Sequence, residues 1–287
     1  MSLESKDTVF YSKKTLNLRG NVIDLSYPIV MGILNVTPDS FYDGGLHNDG
    51  MRMLEKVGHM LTDGAFIIDV GGYSSRPGAL DVSEAEEMKR VIPAIKNIMK
   101  EYPDAYVSVD TFRSSVAEAA IDEGAVMVND ISAGSLDEKM FETIGKLKVP
   151  YVLMHMRGNP QNMRDQTDYD NILMEVIDFF QKKIEELRAY QVKDIIVDPG
   201  FGFAKTIEQN YNLLKHLNYF RLLNLPVLAG MSRKSMIYKK LNTTSENALN
   251  GTTTLNAIAL MNRVNILRVH DVNEAIETIT LFKTTYN

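Results

Sequence analysis

Residues 105–131 read AYVSVDTFRSSVAEAAIDEGAVMVNDI. Both ends are short runs, rich in Val and almost continuously apolar, and a helix-like stretch joins them. Strands buried on both faces read this way, because helices covering a parallel sheet leave neither face to water. The same unit recurs on either side. Apolar runs occupy 29–36 and 65–70 before it, and 151–156, 194–198, 226–230 and 264–269 after it. With 105–110 and 125–131, eight strands are predicted. The segments between them carry a helical period, as in the stripe Tyr169, Ile172, Leu173, Val176, Ile177, Phe180, Ile184 and Leu187. Ser83 with Glu86, Ser135 with Glu138, and Thr206 with Gln209 have the capping-box spacing. Eight strand–helix units over about 250 residues predict a (β/α)8 TIM barrel, with a doubly wound open sheet as the alternative. Before the first run, 15–25 reads as a β-hairpin around Arg19-Gly20-Asn21, placed to close the barrel bottom. No linker or low-complexity tract interrupts the chain, so 1–287 is read as one domain.

Composition narrows the function. Hydrophobic residues make up 45% of the chain and charged residues 24%, which excludes disorder, collagen and coiled coil for its bulk. The net charge of −6 does not draw nucleic acid or an anionic membrane. The absence of Cys excludes disulfides, thiolate metal ligands and cysteine nucleophiles, and fits a reducing compartment. The opening MSLESKDTVFYSKK lacks the apolar core of a signal peptide, and no run of about 18 apolar residues occurs. A cytoplasmic protein with neither nucleic-acid nor membrane partners is expected.

The strand ends carry the functional information. In order they finish on Asn35, Asp69, Asp110, Asn129-Asp130, His155, Asp198, the run Ser232-Arg233-Lys234-Ser235, and the run Arg268-Val269-His270-Asp271. Barrel active sites are built at this C-terminal face. Any one of these residues could merely cap the following helix; eight polar ends together point to a site. Two loops on the same face, 35–45 and 71–78, are rich in Gly, Pro and polar residues, the composition from which lids are drawn. Asp110, Asn129 and Asp198 would converge on the mouth. Carboxylates and an amide suit a flat heterocycle that offers an amino group beside a ring N–H. Lys234, Arg268 and His270 add positive charge where this fold often holds phosphate. An aminated heterocycle with a phosphate ester is the inferred ligand. No HExxH or Walker A motif occurs, and no Ser-His-Asp arrangement is evident. His47, His59 and His216 read as surface or packing residues. Most Met residues read as core filler; Met154, near a strand end, is the exception.

Seven blocks then stand in order: Ile33-Leu34-Asn35-Val36-Thr37-Pro38-Asp39-Ser40-Phe41, Ile68-Asp69-Val70-Gly71-Gly72, Ser108-Val109-Asp110-Thr111, and Val128-Asn129-Asp130-Ile131, followed by Asp198-Pro199-Gly200-Phe201-Gly202-Phe203, Ser232-Arg233-Lys234-Ser235 and Arg268-Val269-His270-Asp271-Val272. Together they resemble the dihydropteroate synthase family. The resemblance covers the chain from about residue 15 onward, and it is the ordered set that makes it specific. It implies a TIM-barrel enzyme of folate biosynthesis, usually a homodimer and a sulfonamide target. Such an enzyme joins 6-hydroxymethyl-7,8-dihydropterin diphosphate to p-aminobenzoate and releases pyrophosphate with Mg²⁺. By resemblance, Asp110, Asn129, Met154, Asp198, Lys234 and Arg268 bind the pterin. Asn35, Arg268 and His270 bind the diphosphate, and Asn35 touches Mg²⁺. Phe41, Ser75, Arg76, Pro77, Phe203, Lys234 and Ser235 form the p-aminobenzoate site, while Asp39 and Asp43 belong to a mobile first loop.

Two positions depart from the family pattern. Ser75 stands where Thr is common, which keeps the hydroxyl and loses a methyl. Ala204 stands where Gly is common, which brings strain if that backbone needs φ above zero. Two alternatives remain open at this point: a methyltetrahydrofolate-binding methyl-transfer barrel, and a non-catalytic pterin-binding homologue. The intact Asp43, Arg76, Lys234 and His270 argue against lost catalysis.

Overall fold

Alternate residues of a strand face opposite sides, and in this chain that rule sorts a barrel interior from a helix-facing shell. The computed structural model describes residues 14–37, 46–73 and 82–286. The barrel strands are β3 (Ile29–Asn35), β4 (Ile67–Gly71), β5 (Tyr106–Asp110), β6 (Met127–Asp130), β7 (Tyr151–Met154), β8 (Ile195–Asp198), β9 (Leu228–Ala229) and β10 (Ile266–Val269). They are hydrogen-bonded in parallel in the order β8-β7-β6-β5-β4-β3-β10-β9. A parallel bridge between Val197 and Val227 closes the ring, which excludes the open sheet. The helices between them are α1 (Leu46–Thr62), α2 (Glu84–Glu101), α3 (Ser114–Asp122), α4 (Met140–Leu147), α5 (Ile172–Ala189), α6 (Ile207–Lys215), α7 (Ser235–Tyr238), α8 (Leu249–Met261) and α9 (Val272–Tyr286).

Val30, Leu34, Ile68, Val70, Val107, Val109, Leu153, Val197 and Leu267 face outward and share one buried cluster with the helices. The opposite parity faces in. At the lower end Met31, Ile67, Met127, Val152, Ile196, Leu228 and Ile266 cluster with Leu16, Leu18 and Leu25. Those three leucines come from the hairpin β1 (Thr15–Leu18) and β2 (Asn21–Asp24) and from the residue after it. Each leucine contributes about 2 kcal/mol of burial to this plug. The hairpin turns on Arg19 and Gly20 alone, with φ of 52° and 81°, and Asn21 already pairs with Leu18. Two left-handed residues give the turn whose twist matches antiparallel strands.

Several local expectations shift. Of the run 226–230, Leu228–Ala229 form the strand and Val227 adds the single bridge to Val197. Pro226 has no N–H, and the amide of Val227 donates instead to Asn265 Oδ1 at 2.9 Å. Thr206 and Gln209 form a full capping box on α6, and Ser83 caps α2 through the amide of Glu86. Ser135 caps nothing; its hydroxyl donates to Ser132 O at 2.6 Å, and α4 starts later, at Met140. Asp137 prevails locally, accepting from the amides of Ser114 and Lys139. Tyr169 lies outside α5, whose N-cap is Asn171.

Candidate active site at the barrel mouth

Two residues above the plug, the inward positions read Ile33, Asp69, Ser108, Asn129, Met154, Asp198, Gly230 and Arg268. Two further on they read Asn35, Gly71, Asp110, Ile131, Met156, Gly200, Ser232 and His270. The interior therefore changes from hydrocarbon at the bottom to paired charge at the top. Asn129, Met154, Asp198 and Arg268 from the predicted site fall on the first of these levels, and Asn35, Asp110 and His270 on the second. Asp130 and His155, polar strand ends of opposite parity, face the helices. Asp130 accepts from Tyr151 Oη at 2.6 Å and from the amides of Ser132 and Gly134. His155 packs edge-on to Phe179.

Arg268 is the hub of the mouth. Its Nε donates to Asp69 Oδ2 and its Nη2 to Asp110 Oδ2, both at 2.6 Å. Asn129 Nδ2 donates to the same Asp69 oxygen at 2.9 Å. Asp69 is fully buried, whereas the Arg268 and Asp110 side chains each keep 17% of their surface open to the mouth. Asp69, not among the binding residues that the resemblance implies, holds Arg268 and Asn129 in place; its sequence signal is its parity, two residues above Ile67. Among the described residues Asp69 Oδ1 and Ser108 Oγ have no hydrogen-bond partner, and the two residues are register partners across β4 and β5. Buried polar atoms of this kind call for a donor from water or a ligand. Burial, with Asp69, Glu87 and Asp130 nearby and only partly offset by Arg268, pushes Asp110 up to about 7.

Asp198 lies across the mouth, buried, and its Oδ1 accepts from Gly200 N at 2.8 Å. Burial raises its carboxyl above the usual range against the pull of Lys234, Arg268 and Lys205. Lys234 Nζ donates to Phe201 O at 2.6 Å and lies 4.7 Å from the centre of the Phe203 ring. Desolvation brings it down to about 8. Phe203 joins Met154, Ile131, Met156, Met163 and Phe112 in an apolar wall beside the charges. Gly200 is required where it stands: its φ is 70°, and a Cβ would overlap the carbonyl oxygen of His155. Ala204 does occupy the left-handed region, with φ of 49°, a conformation costing roughly 1–2 kcal/mol. Tyr169 Oη supports it by donating to Ala204 O at 3.0 Å.

At the rim, Ser232 Oγ meets His270 Nδ1 at 3.0 Å and accepts from the His270 amide at 3.2 Å, so the ring is held by β9's loop. Arg233 turns away from the mouth. Its guanidinium grips Asp271 at 2.8 and 2.9 Å and donates to Ser245 O at 3.1 Å, a structural clasp on the backbone that presents Lys234 and Ser235. Ser235 opens α7. Phe41, Ser75, Arg76, Pro77, Asp39 and Asp43 lie outside the described residues.

Comparison with known proteins gives one consistent picture. The model of the family described as pterin binding enzyme matches residues 31–270. A dihydropteroate synthase of Escherichia coli (strain K12) is 42% identical over 269 residues, 93% of this chain and 95% of that protein. The crystal structure of the Yersinia pestis dihydropteroate synthase with a sulfonamide drug complex superposes with a TM-score of 0.88 at 42% identity, covering 94% of this chain and 98% of that one. The Xanthomonas albilineans dihydropteroate synthase with 4-aminobenzoic acid gives a TM-score of 0.88 at 36% identity, covering 95% and 98%.

Proposed function

We propose, because this chain belongs to the dihydropteroate synthase family of pterin-binding enzymes, a division of its barrel mouth between two substrates. The reaction is the transferase step of folate biosynthesis that joins 6-hydroxymethyl-7,8-dihydropterin diphosphate to p-aminobenzoate. The relatives are synthases, which sets the methyl-transfer and non-catalytic alternatives aside. The observation that carries the division is the Asp69–Arg268–Asp110 bridge with Asn129 beside it, facing Asp198 and Lys234.

Asp198 accepts the amino group and adjacent ring N–H of the pterin, and Asn129 completes the ring edge. Met154 packs on the ring face, Arg268 stacks over it, and Asp110 lies towards the exocyclic methylene. Asn35, Arg268 and His270 hold the diphosphate; a guanidinium offers paired donors to phosphate oxygens. Phe203, Lys234 and Ser235 border the p-aminobenzoate, with Phe41, Ser75, Arg76 and Pro77 contributed by the first two loops and Asp39 and Asp43 on the closing segment. Mg²⁺ fits this rim. It binds through one or two protein oxygens plus substrate phosphates, and Asn35 supplies a neutral oxygen at the end of β3. Bound there, the ion would neutralise charge growing on the leaving diphosphate. The residues of the chain favour C–O cleavage ahead of C–N bond formation. The bonding pair departs with the diphosphate towards Arg268 and His270. The remaining cation, conjugated with the dihydropterin, is stabilised by the carboxylates in a site shielded from water. The aniline nitrogen then attacks the methylene and loses its proton.

Two outcomes test the assignments. Asp110 carries charge above about 7 and Lys234 below about 8. With both charges required, kcat/KM for the pterin diphosphate falls on the acid side of about 7 and the alkaline side of about 8. Asp110→Asn removes the acid limb from whatever activity remains, and a flat profile in the unsubstituted protein contradicts the pairing. His270→Ala is expected to weaken the diphosphate substrate about tenfold while leaving unphosphorylated pterin within about twofold. Calorimetry that finds both weakened equally would assign His270 to structure instead.

The reading includes a cytoplasmic homodimer. It is supported by the cysteine-free sequence and by large apolar side chains exposed on the last two helices, Met261 at 62% and Leu281 at 69%.

A further inference from the structure

Lys205 is a buried amine that the chemistry above does not use; only 9% of it is exposed, and burial brings it down to about 7 against the pull of Asp198. It ends the turn that follows β8. Its Nζ donates to Gly200 O at 3.0 Å, Phe203 O at 2.9 Å and His155 Nδ1 at 3.0 Å, with His155 O at 3.3 Å. Burial, with Lys205 and Arg157 close by, holds His155 well below its usual range, so the ring is neutral and Nδ1 accepts. The ring is fixed in turn by edge-on packing against Phe179 at 4.9 Å. Lys205 thus gathers two carbonyls of the turn onto the end of β7.

The turn depends on such support. Gly200, Gly202 and Ala204 alternate in the left-handed region, with φ of 70°, 82° and 49°. Phe203 N donates to Gly200 O at 3.1 Å within it, and side chains hold three further carbonyls: Lys234 on Phe201, Tyr169 on Ala204 and Asn210 on Lys205. Phe203 lies between two of these anchors. Its carbonyl is pinned from below by Lys205, and its ring lies 4.7 Å from Lys234 Nζ above. A buried amine is a costly way to fill a space that hydrocarbon could fill, and its desolvation shows in the lowered Lys205. What it adds is three directed donors converging on one turn.

We propose that Lys205 is a positioning residue for the aminobenzoate part of the site: by gathering the Gly200 and Phe203 carbonyls against His155, it sets the place of the Phe203 ring beneath Lys234 without touching either substrate. The proposal rests on the assignment of Phe203 to p-aminobenzoate made above. The test is steady-state kinetics of Lys205→Met, Phe203→Ala and the double variant in the full-length protein with both substrates and Mg²⁺. Lys205→Met is expected to raise KM for p-aminobenzoate about tenfold, with KM for the pterin diphosphate and kcat within about threefold. Phe203→Ala raises the same KM, and adding Lys205→Met to it raises that KM less than about twofold further, because both act through one ring. If Lys205→Met does not fold, His155→Phe reads the same clasp, with an expected rise of about threefold confined to p-aminobenzoate. A Lys205 effect spread equally over both substrates, or additive with Phe203→Ala, overturns the proposal. So does an unchanged KM in Lys205→Met when Phe203→Ala is impaired, and that result leaves the Phe203 assignment standing. An unimpaired Phe203→Ala overturns both.

Discussion

Asp198→Asn is expected to weaken pterin binding by at least about a hundredfold, close to 3 kcal/mol, in a protein that folds normally. The carboxylate is buried, and one oxygen is committed to the amide of Gly200. An asparagine keeps that bond through its carbonyl oxygen. Its NH₂ then faces the pterin's own donors, so an acceptor has become a second donor in a site closed to water. Apo stability at neutral pH should not fall, because burial already disfavours the ionised carboxylate that the substitution removes. Calorimetry with the pterin diphosphate reads the affinity, and a melting curve reads the fold. Near-native affinity in a folded variant would remove Asp198 from the pterin site.

Arg268→Met is expected to cost both turnover and stability, and the two losses can be separated. The guanidinium on β10 bridges Asp69 and Asp110, which lie on the neighbouring strands β4 and β5. Its removal leaves the buried Asp69 carboxylate facing only Asn129, and an unpaired buried charge costs about 3–5 kcal/mol. Arg268→Lys keeps one charge but cannot reach two carboxylates with a planar fork, so activity stays low. Adding Asp69→Asn to Arg268→Met should recover most of the lost melting temperature and none of the activity. If the double variant is as unstable as Arg268→Met alone, the bridge is not what Arg268 contributes to the fold.

Much of this was legible before any coordinates. Short apolar runs between helical stretches made a covered parallel sheet legible, and eight such units favoured the barrel; it took the Val197–Val227 bridge to exclude the open sheet. The hairpin was legible from Arg19-Gly20-Asn21, although Asn21 proves to be the first residue of the second strand. The site was legible as polar strand ends, and parity within the strands now separates Asp110 and Asn129, which face in, from Asp130 and His155, which do not. What escaped was partnership. Asp69 owes its role to Arg268, 199 residues away, and nothing local marks that contact. Lys205 escaped because three of its four acceptors are backbone carbonyls, which every residue carries. The strain expected at Ala204 was legible, as an alanine where the family favours glycine, and the backbone there is left-handed.

Positional isotope exchange puts the barrel mouth to the most direct test. The pterin diphosphate, labelled with ¹⁸O at the bridging position, is incubated with the protein and Mg²⁺ in the absence of p-aminobenzoate. A mouth that stabilises the pterin cation, with Asp110 near the methylene and Arg268 and His270 on the departing diphosphate, scrambles the label in recovered substrate and slowly releases pyrophosphate. If neither scrambling nor pyrophosphate rises above the protein-free rate, while the complete reaction runs normally, bond formation accompanies cleavage and the roles given to these charges are wrong.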